Sequence, residues 1–257
     1  MRNDLMRPDY ILKLIENDER IDGRKLDEFR KINIETGCIK RAEGSARVKL
    51  GKTDVIVGIK TEIGKPFSDM PNMGILKTGA EFTPIASPDF ESGPPNENAI
   101  ELARVVDRGV RESESIDLEK LCLKEGEKVW EVFVDVHIIN HDGNLIDAAA
   151  LAAVAALKMT KIPKIEDDKI IREKLEKKLP LSHETITVTV GKLSNKFIID
   201  PIKEEEEVLN SKLSVAVRED VKICAMQKSG NESISFDDLD KMIDLAVKKT
   251  KELRKLL

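Results

Sequence analysis

Arg104, Arg108 and Arg111 fall within roughly a 60° arc of a helix drawn through residues 98–113. Ala99, Leu102, Ala103, Val106 and Val110 fall on the opposite side. Such a helix can dock on a sheet through its apolar face and turn three guanidiniums the same way. Guanidinium forks match phosphate oxygens, so the ligand this face fits is a polyphosphate backbone. The same spacing also fits a solvated face, in which Glu101 pairs with Arg104 and Asp107 with Arg111.

Other chemistry-bearing residues carry less. Gly51-Lys52-Thr53 has the ending of a phosphate loop, but Ala46 stands where the earlier glycine is required. The segment also joins two strands and opens no helix. His137 and His141 are four apart, yet one lies in a strand and the other at a turn. With no third ligand nearby, a structural role is expected. His183-Glu184 lacks the second histidine of a zinc-protease helix. Asp200 with Glu204–Glu207 could hold a divalent cation, although acidic runs are more often solvated loops. Cys38, Cys122 and Cys224 are scattered and odd in number, which argues against a disulfide framework or a zinc site. No metal centre and no cofactor is therefore expected.

The elements that must position these residues follow from periodicity. An amphipathic helix is expected at 3–18, then a charged connector at 20–30. Strands are expected at 31–38, 45–50, 55–62 and 75–82, and a proline-rich loop at 83–98. Asn98 and Glu101 have the spacing of a capping box that opens the arginine helix. A strand at 128–139 precedes an alanine-rich helix at 146–159, apolar nearly all round and so expected to be buried. Pro163 ends it. The charged stretch 164–179 reads as a surface helix or linker, closed by Pro180. Strands at 185–190, 196–199, 212–217 and 222–226 precede a helix at 236–257. The fold class is α/β of the α+β kind. Its divisions are an N-terminal helix and connector (1–25), a first β-rich half (26–163), a linker helix (164–182) and a second half (183–257).

Composition limits the function. The 257 residues are 40% hydrophobic and 35% charged, which supports a folded core under a charged surface. The net charge is −5, so any nucleic-acid contact must be a local patch. No apolar run is long enough to span a membrane and the N-terminus is too charged for a signal peptide, so the cytoplasm is the expected compartment.

These residues, in order, resemble the ribonuclease PH family. Its opening is matched by Arg20-Ile-Asp-Gly-Arg24 with Asp27-Glu28-Phe-Arg30, and its first hairpin by Gly44–Gly51 with Thr53-Asp54-Val55. Glu101–Arg108 matches its helix. Asp142-Gly143-Asn144 before the alanine-rich helix, and Asp200-Pro201 before glutamates, complete the series. Within the family the chain is most similar to the non-catalytic ring subunit of the archaeal exosome. Catalytic relatives hold inorganic phosphate on a loop with a hydroxyl and a cation; here the matching stretch is Gly143-Asn144-Leu145-Ile146. They also carry two aspartates, whose counterparts are Glu206 and Lys212.

The resemblance implies a ribonuclease PH-like fold and no catalytic residue in this chain. It implies a ring of three heterodimers with a catalytic paralogue, capped by RNA-binding subunits. Single-stranded RNA would be degraded by the partner from its 3′ end by phosphorolysis. Arg104, Arg108 and Arg111 would line the RNA path. The competing readings are a chain that is itself a phosphorolytic 3′-to-5′ exoribonuclease, a ring spacer whose arginines are ion-paired, and an unrelated small-molecule enzyme that uses the acidic loop.

Overall fold

A computed structural model describes residues 7–166 and 169–257. Helix α1 (Arg7–Glu16) leads into a connector with little regular structure. The part of the expected 3–18 helix before residue 7 lies outside the described residues. Strands β1 (Ile32–Thr36), β2 (Gly44–Leu50) and β3 (Thr53–Gly64) form an antiparallel meander. Then come β4 (Ile75–Phe82), α2 (Glu97–Arg111), the short β5 (Cys122–Lys124) and β6 (Lys128–Asn140). The first sheet has the order β1-β2-β3-β6-β4, with β5 added at one end of β6.

β4 is parallel to β6, whereas β3 is antiparallel to it. A parallel pair needs a crossover, and α2 supplies it. This topology lays α2 along the sheet beside β4, the edge strand. Along β6 the residues Trp130, Val132, Val134, Val136 and Ile138 are buried and alternate with half-buried ones. The strand thus has one face in the core, as a period of two requires.

Helix α3 (Leu145–Met159) explains its own composition. It packs on β2 and β3 on one side and on strand β9 (Thr185–Leu193) on the other. Every residue from Asp147 to Leu157 is buried. A helix enclosed by two sheets needs small side chains, and alanine lets both sheets approach closely. The second sheet has the order β10-β9-β11-β12, all antiparallel, from β10 (Lys196–Ile199), β11 (Ser211–Arg218) and β12 (Ile223–Ser229). Helix α5 (Phe236–Arg254) also packs on β9 and β11. The mixed α+β architecture is thus the expected one.

Four local readings are corrected. The stretch 164–179 is no helix: β7 (Lys161–Glu166) and β8 (Lys169–Lys178) form an antiparallel hairpin. β8 is mostly exposed, so no alternation marks it, and it is fixed by pairing and by Arg172, which binds Glu43, Glu62 and the Thr61 carbonyl. Pro163 sits inside this hairpin, at a register shift, and the helix before it ends at Met159. Helix α2 is capped by Asn96, whose Oδ1 accepts from the Ala99 N–H at 2.9 Å; Glu101 accepts from Ser229 Oγ instead. The acidic run is a short helical turn, α4 (Lys203–Glu206), and not a solvated loop.

Candidate functional site

Arg104 and Arg108 stand exposed on the outward side of α2, and neither has a hydrogen bond or ion pair among the described residues. The opposite side of the helix is anchored by Ala99, Leu102, Val106, Gly109 and Val110, all buried. Arg111 shares the arc but is engaged. Its Nε donates to Asp107 Oδ2 at 2.8 Å, and its Nη2 donates to Asp107 Oδ1 and to the Leu76 carbonyl, each at 2.9 Å. The Asp107 hydrogen bond raises the Arg111 pKa further against partial burial. The expected Glu101–Arg104 pair is absent, so two guanidinium forks are free and one is spent. The two free arginines rim a depression of about 470 Å³ between α2 and β4, with Thr78, Gly79, Ala80, Ala103 and Asp107 in its lining.

A second cavity, of about 230 Å³, lies at the N-terminus of α3. It brings together Leu145, Ile146, Glu206 and Lys212, with Phe82, Phe90 and His141. Apolar side chains occupy the helix N-terminus, where N–H groups would otherwise receive an anion. Lys212 Nζ lies 3.1 Å from Glu206 Oε1, so these two charges satisfy each other. Phe90, from the loop before α2, stacks on His141 with ring centroids 5.5 Å apart, and Asp89 beside it is ion-paired to Lys203. Burial lowers the His141 pKa, which leaves a neutral imidazole at pH 7.

Behind this cavity lies a buried charge network that local patterns gave no sign of. Arg20 donates to Glu205 through Nε at 2.9 Å and Nη2 at 2.5 Å, and both side chains are fully buried. Arg30 grips Asp200 with its backbone N–H at 2.8 Å, Nε at 2.9 Å and Nη2 at 2.6 Å, and its Nη1 reaches the Asp142 carbonyl. Arg24 adds a contact to Asp200 at 3.1 Å. Burial works against the charged Asp200, but the Arg30 hydrogen bonds and charge outweigh it, so its pKa lies below the ordinary carboxylate range. Asn144 donates to both Asp200 and Asp147, each at 3.0 Å.

Gly143 lets this turn close. Its φ is +84°, and a Cβ there would sit 2.4 Å from the Pro201 carbonyl oxygen. Asp200 and Glu205 are thus committed to arginines, which removes them as metal ligands; no metal-binding group of three forms among the described residues. Nothing local singles out Glu205 from its run; only the resemblance of Arg20-Ile-Asp-Gly-Arg24 and Asp200-Pro201 to family motifs marks these residues. His137 Nδ1 lies 3.3 Å from Glu81 Oε2, and the pair belongs to no metal-binding group of three among the described residues.

Comparison with known proteins places the chain in a family. Residues 28–163 match the model for domain 1 of the 3′ exoribonuclease family, and residues 183–249 match domain 2. The chain is 53% identical to the exosome complex component Rrp42 of Methanothermobacter thermautotrophicus, over 95% of this chain and 91% of that one. It superposes with a TM-score of 0.92 on a chain of the Archaeoglobus fulgidus exosome with RNA bound to the active site, at 47% identity and 97% coverage of each chain. A chain of an archaeal exosome core gives 0.88 at 43% identity, covering 99% of this chain and 98% of that one. With both domains matched in order and such identity over nearly the whole length, the chain belongs to the 3′ exoribonuclease family.

Proposed function

We propose that this chain is a non-catalytic ring subunit of an archaeal exosome. It completes a ring of three heterodimers with a catalytic paralogue, under RNA-binding cap subunits in the cytoplasm, and helps hold single-stranded RNA for 3′-to-5′ phosphorolysis by that partner. The observation that carries the reading is the cavity at the head of α3. Leu145 and Ile146 deny an attacking phosphate its seat, and Lys212 with Glu206 forms a closed pair where the chemistry needs free carboxylates. The free forks of Arg104 and Arg108 supply the remaining function: they bind backbone phosphates without reading bases. Arg111 acts behind them by fixing Asp107. The relatives' identity as exosome components supports the same assignment.

The first test is the purified chain with RNA and inorganic phosphate. No nucleoside diphosphate is expected, and clear release overturns the reading. The second is Arg104→Glu with Arg108→Glu in the reconstituted ring. Loss of two charge-assisted phosphate contacts should weaken RNA binding at least tenfold, by about 1.5 kcal/mol or more, with assembly intact. Unchanged affinity would leave a ring spacer.

A further inference from the structure

The depression beside the free arginines holds one group that a phosphate clamp alone does not need. Asp107 lies on its β4 side, one residue before Arg108, with its side chain 21% exposed. A carboxylate offers about four acceptor sites. Three are taken: Oδ1 accepts from Thr78 Oγ1 at 3.0 Å and from Arg111 Nη2 at 2.9 Å, and Oδ2 accepts from Arg111 Nε at 2.8 Å. One acceptor site, on Oδ2, is left. Arg111 neutralises the carboxylate, which limits its repulsion of a nearby phosphate.

An acceptor with one site left calls for a donor. Arg104 and Arg108 are separated by about 6 Å along the helix axis, one turn of the same face. Gly79, Ala80 and Ala103 keep the space between this face and β4 shallow and free of bulky side chains. Along a strand held by its phosphates, the donor that recurs once per nucleotide is the ribose 2′-hydroxyl, which DNA lacks. Resting on the phosphate-binding role of Arg104 and Arg108, we infer that Asp107 accepts a hydrogen bond from a ribose 2′-hydroxyl and makes this face selective for RNA over DNA.

The test uses the assembled ring in phosphate-free buffer, titrated with oligouridylate, its 2′-O-methyl form and oligodeoxyuridylate. Uracil has no exocyclic amine, and its N3–H is common to all three strands, so the base cannot supply the difference. Asp107→Asn should weaken binding of the ribose strand about tenfold, the worth of a hydrogen bond to a charged group. Binding of the other two strands should stay unchanged, so the preference for RNA shrinks by the same factor. Asp107→Ala gives the same reading should the asparagine variant fail to assemble. A preference that survives both substitutions overturns the inference. Arg104→Glu with Arg108→Glu separates the two claims, because it should weaken all three strands alike. If it weakens none, the phosphate-binding role itself falls.

Discussion

Asp147 and Asp200 both accept from Asn144, and their environments drive them in opposite directions. Burial pushes the Asp147 carboxyl up to about 7, although the Thr189 N–H, the Thr189 hydroxyl and Asn144 all donate to it, and the charge of Asp200 adds to the rise. Asp200 is held below its ordinary value by Arg30. The signs follow from proton linkage. A carboxyl whose folded pKa is raised contributes stability that is full below 3.8 and is lost as pH rises through about 7. Asp200 does the reverse: its contribution is present above 3.8 and is lost as pH falls below it. The two windows therefore do not overlap. Asp147→Asn removes one titration and leaves the other. Between pH 4 and pH 8 the wild type should lose up to about 4 kcal/mol of stability relative to that variant. Paired urea unfolding curves measure this, and a difference independent of pH would refute the buried, titrating Asp147.

Helix α2 and the β7–β8 hairpin mark what a sequence shows at the scale of an element. The apolar side of α2 recurs with a period near 3.6, so its location and the outward arginines are legible without a structure. Its start is not: Asn96, Asn98 and Glu101 offer two caps, and only the chain path out of the proline-rich loop selects Asn96. Asn96→Ala should therefore lower stability by about 1 kcal/mol, whereas the exposed Asn98→Ala should change it by less than about 0.5 kcal/mol. Thermal unfolding of the two variants checks this, and a larger loss at Asn98 would restore the capping box. The hairpin was illegible for another reason. A strand solvated on both faces has no alternation to read, and lysines and glutamates fit a helix surface equally well. The network of Arg20, Arg24 and Arg30 was illegible because its carboxylate partners Asp200 and Glu205 lie 170 to 185 residues away in sequence. Where both partners are charged, each end alone looks like solvated surface. The resemblance of the motifs found these residues, but only the fold shows what they hold.

At the scale of the whole molecule, two features bind the halves into one cooperative unit. Helix α3 is the shared core, packed between the first sheet and β9. The connector after α1 is a strap: Arg30 touches Asp142 and Gly143 of the first half and Asp200 of the second, while Arg20 reaches Glu205. Removing the Arg30 guanidinium leaves Asp200 a buried carboxylate held only by the residue-30 backbone N–H, Arg24 and Asn144 among the described residues. Breaking such a pair from one side destabilises by roughly 3–5 kcal/mol, mainly through the uncompensated charge. Arg30→Met should therefore lower the melting midpoint by roughly 10 °C. Adding Asp200→Asn to it should lose less than the two single losses summed, because the stranded charge is then gone. Trp130, the only tryptophan, lies in β6 of the first half, so its fluorescence follows that half while far-ultraviolet circular dichroism follows both. With α3 common to both halves, the two signals should change together in the wild type and in Arg30→Met, at a lower temperature in the variant. Two separated transitions in Arg30→Met would show that the strap, and not the shared helix, is what makes the halves unfold as one.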